Sequence, residues 1–546
     1  MVTLAHRAPR SGASAAGPTS FAEVRARRSH RLWIRRVDVV VVGLGATLLA
    51  ALGSGVPSFW YDEAASVASA DRPIPDLLRL LGTVDAVHGL YYLLLHVWFG
   101  VVGIGEWTAR LPSVVGVGVA ASGLVVLGYL LGDRRLAVTA GVVFAILPRT
   151  TWAATEARSS AWTMAVAVWL TVLLVTTLRR PSPARWACYA LGVACSVVLF
   201  LYSATLVAAH LLAVALIARR RLGPAALAAA AGLAATTPFA LLTVAERAQV
   251  QWIPPLDGRA VGNVLRDQWF VDSTVGAAVA WLVVLAALGA AVRRLWHGAR
   301  PHAPAASTVV AACGAVLPTA LLIAWSLGTT PSYLDRYVAF STPFAAMLLA
   351  AAVLALARRP RRAAVLVGVL AVAFLPAYLG QRTAYAKPVG MDYSAAADVL
   401  AARARPGDCV LYGAASWNPT TLRIVGAARP DAVAGLVDVG LARSAADAGT
   451  FWAEPLPVDA LRLDGCATAW LVTDADRDTT SLVERPTGEV FTMGAGRAAD
   501  TPEYAAAVSA GLRETDRTTL NLSQVIRFER EAVSPRRWCP TAGCPR

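Results

Sequence analysis

Residues 89–105, GLYYLLLHVWFGVVGIG, decide the topology of this chain. A membrane span needs about 20 apolar residues; this stretch is shorter and carries His96 midway along it. The basic runs around it settle how it is read. They are an Arg-rich head (Arg25, Arg27, Arg28, Arg31, Arg35, Arg36), Asp133-Arg134-Arg135, Arg179-Arg180, Arg219-Arg220-Arg221, Arg293-Arg294 and Arg358-Arg359-Pro360-Arg361-Arg362. Basic loops stay on the cytoplasmic side. All six runs lie there only if 89–105 does not cross, so the stretch is read as an interfacial helix within a long first external loop, 57–110.

The rest of the chain fits a membrane reading. Of 546 residues, 56% are hydrophobic and 16% charged, and mean hydropathy is +0.54. Soluble domains carry roughly 25% charged residues, so a soluble enzyme is excluded. The formal charge of +15 does not point to nucleic acid, because the arginines sit in short runs between apolar segments. Apolar stretches at 39–56, 111–131, 136–153, 161–178, 187–201, 203–218, 224–244, 274–292, 308–327, 337–357 and 363–380 predict about eleven spans, with the N-terminus cytoplasmic and the C-terminus outside. Residues 1–38 are expected to be a disordered Arg-rich cytoplasmic tail. The first span is long enough to remain as an anchor, and no cleavable signal peptide is evident.

From 381 to 546 the composition changes, and no further span of sufficient length occurs. Helical spacing over 392–405, a Pro406-Gly407-Asp408 turn and strands near 409–412, 467–473 and 520–528 predict a soluble extracytoplasmic α/β domain. Cys409, Cys466, Cys539 and Cys544 all fall in it, and an even number outside the cytoplasm suggests disulfides. Four cysteines allow three pairings; 409–466 with 539–544 is the favoured one. Cys188, Cys195 and Cys313 lie in spans, as small apolar fillers.

The predicted spans are nearly free of charge, whereas a transporter places ionisable groups within them. The unusual polar residues fall in the external loops. The first loop has Tyr61, Asp62 and Glu63, then Asp85, His88, Glu106 and Arg110; later loops have Glu156, Arg158, Tyr202, Glu246, Trp252, Tyr333, Asp335, Arg336 and Tyr337. Carboxylates, arginines and aromatics thus converge on one membrane face. A carboxylate can act as base towards a hydroxyl, an arginine grips phosphate through paired hydrogen bonds, and aromatic rings offer sugars an apolar face. Glu106 and Arg110 are spaced for a local i,i+4 pair, and His96 is read as structural.

Five segments carry a resemblance. They are Trp60-Tyr61-Asp62-Glu63-Ala64, His88-Gly89-Leu90-Tyr91-Tyr92-Leu93-Leu94-Leu95, Glu106-Trp107-Thr108-Ala109-Arg110-Leu111-Pro112-Ser113, Glu156-Ala157-Arg158 and Arg336-Tyr337. In order and spacing, over about residues 55–345, the chain resembles the GT-C glycosyltransferases. Within them it is similar to the branch holding protein O-mannosyltransferases and the aminoarabinose transferase of lipid A. Gly89 departs from the proline that the family has after the histidine, and the C-terminal domain lies outside the motifs. The resemblance implies a polyprenyl-phosphate sugar donor, transfer at the outer face of the plasma membrane, and inversion at the anomeric carbon. It implies Asp62 as catalytic base with Glu63 beside it, Arg336, Arg158 and His88 at the donor phosphate, and Glu156, Tyr61, Tyr202 and Tyr337 at substrate. The resemblance does not imply a metal uniformly, and a divalent cation is compatible with the acids. Expected partners are the lipid-linked donor, membrane lipids and a glycan, lipoglycan or protein acceptor. Mannose is the favoured sugar and arabinose the alternative.

Two rivals come from other classes. A lipid or polysaccharide transporter predicts buried charge and broken spans in repeats. A membrane scaffold predicts that Asp62 is dispensable. Asp474-Ala475-Asp476 matches a nucleotide-sugar motif but lies in the external domain and is read as a surface turn. Gly43, Gly45, Gly116 and Gly118 are read as helix-packing positions. Near-exclusive arginine and abundant alanine suggest a GC-rich genome of the actinobacterial kind.

Overall fold

The computed structural model describes residues 21–297 and 305–531. Among these, six helices are long and apolar enough to cross a membrane: Glu106–Leu131, Ser160–Arg179, Thr274–Trp296, Ala306–Gly328, Asp335–Leu356 and Pro360–Gly380. Counting Arg219–Ala235 and Thr237–Ala245, bent by 50°, as one broken span makes seven. The protein is therefore a multi-pass membrane protein with a helical majority and a sheet-bearing C-terminal region. The other expected spans also fall on helix, but several are short. Arg134–Ile146 has 13 residues, Pro183–Leu199 has 17 and Ala204–Ile217 has 14. Pro148 and Pro238 explain two of the interruptions, since each lacks the N–H that a continuing helix needs.

Helix Phe21–Ala51 runs through half of the tail expected to be disordered. No Gly or Pro interrupts it before Gly43, and Ala and Arg favour helix; residues 1–20 lie outside the described residues. Helix Gly89–Val102 has 14 residues, about 21 Å of rise, against an apolar core near 30 Å thick. One face packs through Tyr91, Tyr92 and Leu95 while Leu90, Leu94, Val97 and Val101 are exposed. His96 Nδ1 lies 2.8 Å from the carbonyl of Ala70 and ties this helix to Tyr61–Ala70. Close helix crossing uses small residues: a Cβ on Gly118 would collide with Thr47 and stand 3.0 Å from the carbonyl oxygen of Gly43. Gly45 faces open space instead.

The expected Glu106–Arg110 pair does not form. Arg110 is fully buried and turns to Glu63, donating from Nε to Oε1 and from Nη2 to Oε2, both at 2.7 Å. It also donates to the carbonyls of Ser54, Pro57 and Ser58. Glu106 meets Arg429 of the C-terminal region at 3.0 Å instead. Burial makes the difference: all five guanidinium N–H groups require acceptors, which one glutamate cannot supply.

The C-terminal region carries a five-stranded mixed sheet. Its spatial order is Val437–Asp438, Cys409–Tyr412, Thr468–Asp474, Ser523–Arg530 and Leu512–Thr519; the first three run parallel, and Ser523–Arg530 pairs antiparallel with both of its neighbours. Helix Tyr393–Arg403 precedes it, and Gly407 takes the positive φ of +90° that the turn requires. Cys409 and Cys466 form a disulfide; Cys539 and Cys544 lie outside the described residues. Asp474 and Asp476 are structural staples rather than a loose turn. The first accepts from Trp417 and Arg477, the second from Arg517 and Gln524.

Removing one member of the buried Glu63–Arg110 pair should cost about 3–5 kcal/mol. Glu63→Ala is therefore expected to melt well below the parent protein in detergent, with Glu106→Ala close to it. Equal melting of Glu63→Ala and the parent would refute the role given to this pair.

Candidate active site

The segment after helix Phe21–Ala51 runs through Ser58-Phe59-Trp60 and starts a new helix at Tyr61, which places Asp62 in the first turn. Here Asp62 meets segment 156–158 and the start of the helix at Asp335. The three segments bound a cleft of about 400 Å³, lined by Asp62, His88, Glu156, Arg158, Phe200, Arg336 and Tyr337 along with Ser159, Ser160 and Thr163. Six of the nine side chains expected to carry chemistry thus share one space.

Arg158 organises one wall. Its Nη2 lies 3.0 Å from His88 Nε2, its Nη1 3.1 Å from Tyr92 Oη, and its Nη2 3.9 Å from Asp62 Oδ2. Burial and the adjacent Arg158 hold the His88 imidazole well below its ordinary range, so it is neutral. Since a guanidinium only donates, Nε2 accepts and the proton sits on Nδ1, a buried atom with no hydrogen-bond partner among the described residues. Tyr92 in turn donates to Asp85.

Arg336 is the other cation, and its state differs. Among the described residues its guanidinium makes no hydrogen bond. It is flanked by the rings of Trp60, Trp252 and Tyr337 at 5.8, 5.5 and 5.7 Å, and Glu489 Oε1 lies 3.6 Å from Nη2. Tyr202 stacks on Tyr337 at 5.4 Å and so supports the wall from behind.

Like Tyr202, Glu63 and Tyr61 stand outside the cleft, whereas Glu156 lies in it. The Glu63 carboxylate is fully buried; it accepts the N–H of Ala157 at 2.8 Å and sits 3.8 Å from Lys387 Nζ. Burial alone would raise its carboxyl, but Arg110 and Lys387 hold it low. It positions the loop and does not line the cleft. Tyr61 accepts from Trp452 Nε1 at 2.9 Å and faces the C-terminal region. Glu156 lines the cleft and accepts from Trp152 Nε1; burial pushes its carboxyl up.

Sequence reasoning missed Lys387 and Glu489. Lys387 is the only lysine in the chain, a signal that was available; burial lowers it to about 8. Nothing local marks Glu489. A second cavity of about 460 Å³ adjoins the cleft, sharing Glu156 and Arg336 and reaching Arg149, Asp335, Asp272 and Arg485. Among the described residues no group of three or more His, Cys, Asp or Glu side chains is arranged to hold a metal ion.

No protein-family model and no curated protein matches the chain. Among solved structures, ArnT from Cupriavidus metallidurans bound to undecaprenyl phosphate aligns at a TM-score of 0.53 and 15% identity, over 90% of this chain and 97% of that one. The apo form aligns at 0.51 and 16% identity, over 91% and 98%. A weaker likeness, 0.40 at 13% identity over 72% and 63%, is to the Archaeoglobus fulgidus oligosaccharyltransferase with a tethered acceptor peptide. The chain thus shares its overall fold with ArnT.

A neutral buried histidine has a consequence for stability. Below the ordinary imidazole pKa near 6.5 the unfolded chain gains a proton that the folded one refuses, so stability falls with acidification. Between about pH 7 and pH 5, the parent should lose melting temperature faster than His88→Gln, which cannot titrate there. Parallel curves would show that His88 is not held neutral.

Proposed function

We propose that the chain is a membrane glycosyltransferase that takes a sugar from a polyprenyl-phosphate carrier and joins it to an acceptor hydroxyl. We infer transfer at the outer face of the plasma membrane, with mannose as the sugar and a cell-envelope glycan, lipoglycan or protein as acceptor. The observation that carries this reading is the pairing in one cleft of a carboxylate, Asp62, with two guanidinium groups, Arg158 and the unbonded Arg336. The fold shared with ArnT, solved with undecaprenyl phosphate, supports the donor class.

The chemistry follows from these groups. Asp62 takes the proton of the acceptor hydroxyl as its oxygen attacks the anomeric carbon. The bond from that carbon to the phosphate oxygen breaks, and its electron pair stays on the phosphate. The carrier phosphate changes from a singly charged diester to a monoester bearing a second charge. That leaving group needs charge stabilisation more than a proton, and Arg336 offers an unoccupied planar fork for it. Arg158 is already anchored by His88 and Tyr92, so it adds fixed positive charge between Asp62 and the phosphate. Neutral His88 orients Arg158. Glu156, whose carboxyl burial pushes up, suits a sugar hydroxyl, with Tyr337 backed by Tyr202 as the ring's apolar wall.

The test is transfer in membranes from radiolabelled polyprenyl-phosphate mannose, with the arabinose donor in parallel. Asp62→Asn should lower transfer by about 10²–10⁴-fold at equal folded protein, and Arg336→Ala should lower it as well. Activity only with arabinose would change the sugar and keep the mechanism. Full transfer by Asp62→Asn would remove the assigned base.

A further inference from the structure

Glu489 reaches Arg336 from the C-terminal region. Strands Ser481–Glu484 and Val490–Met493 form a hairpin, and its tip is closed by Arg485 and Glu489, whose backbones bond at 2.8 Å. The hairpin is docked against the loop before helix Thr274–Trp296. Arg259 pairs with Glu484, and Gly488 lies so close to Pro254 that an added Cβ would stand 3.1 Å from its ring. Glu489 Oε2 is committed, accepting from Arg485 Nη1 and Thr487 Oγ1, both at 2.7 Å. Oε1 is left facing Arg336. Burial alone would raise this carboxyl, but Arg336 and Arg485 hold it below its ordinary range, so it is anionic.

We propose that Glu489 is the resident counter-ion of Arg336 and a specificity-determining residue, one that lets the cleft hold the singly charged lipid-linked donor while weakening its grip on the doubly charged spent carrier. This rests on the assignment of Arg336 to the carrier phosphate. The hairpin pins Glu489 in place, so an arriving phosphate shares Arg336 with a fixed negative charge. A diester carries one charge, whereas a monoester carries about 1.5 to 2 at neutral pH. Repulsion from a fixed carboxylate grows with that charge, so it falls more heavily on the product. Without Glu489 the spent carrier would stay on Arg336 and block the next donor. The position of Glu489 on the C-terminal hairpin gives that region a part in turnover.

The test measures binding of two named lipids to the full chain in detergent, without acceptor and in the Asp62→Asn background so that transfer is negligible. Undecaprenyl phosphate stands for the product and polyprenyl-phosphate mannose for the donor. Glu489→Gln keeps the shape and removes the charge. It should tighten undecaprenyl phosphate about tenfold and the donor by clearly less. Glu489→Asp keeps the charge and should bind both lipids as the parent does. An equal change for both lipids, no change, or weaker product binding in Glu489→Gln overturns the proposal, as does Glu489→Asp behaving like Glu489→Gln. Should Glu489→Gln not fold, Glu489→Thr serves the same comparison. Arg336→Ala separates the two levels: if it leaves the binding of both lipids intact, the phosphate assignment of Arg336 has failed, whatever Glu489 does.

Discussion

A fully buried ionic knot, Glu63 with Arg110 and Lys387, holds the cleft together. Charges in an interior are costly unless every donor and acceptor is matched. Here they are matched by segments far apart in sequence. Arg110 takes the carbonyls of the turn at 54–58 and both oxygens of Glu63. Glu63 takes the N–H of Ala157, between Glu156 and Arg158. Lys387 adds the chain leaving the last long helix, donating to the carbonyl of Thr155 while its ammonium lies over the ring of Trp152 at 4.6 Å. One knot therefore sets the positions of Asp62, Glu156 and Arg158 together. Displacing any of these segments would strand a charge, so the geometry of the cleft is fixed by satisfaction of polar groups rather than by apolar packing alone.

The sequence made the helical membrane fold legible because apolar length and arginine placement are local signals. The same locality explains where it fell short. The length of an apolar stretch does not reveal a break at Pro148 or Pro238, so helices counted as spans prove too short or too bent to qualify alone. The strands at 409–412 and 468–474 were readable as apolar runs bounded by turns, whereas Leu512–Thr519, with the polar sequence LRETDRTT, carries no such run and exists through pairing with Ser523–Arg530.

Within the site, the residues that converge were readable because they sit in short motifs at loop edges. Their division of labour was not. Asp62 and Glu63 are adjacent, but helical geometry turns adjacent residues to different sides, so one lines the cleft and the other enters the knot. Arg110 was assigned to Glu106 by spacing, yet a buried guanidinium follows its acceptors. Lys387 stood out only as a solitary lysine, and Glu489 lies 153 positions after Arg336, a separation across which no periodicity operates.

The two guanidinium groups divide the electrostatic work by how firmly each is held. Arg158, bonded to His88 and Tyr92, keeps its charge and direction whether or not a ligand is present, and such preorganised charge is what lowers a barrier without reorganisation at the moment of reaction. Arg336 is held by aromatic faces and a carboxylate at 3.6 Å, which attract a cation without using its hydrogen bonds. Its N–H groups therefore remain available to a phosphate. Under the proposed reaction the fixed cation suits the step in which charge develops, and the available one suits a ligand that must arrive and depart in every cycle. A site with two fully bonded arginines would bind the carrier poorly, and one with two unbonded arginines would release it slowly.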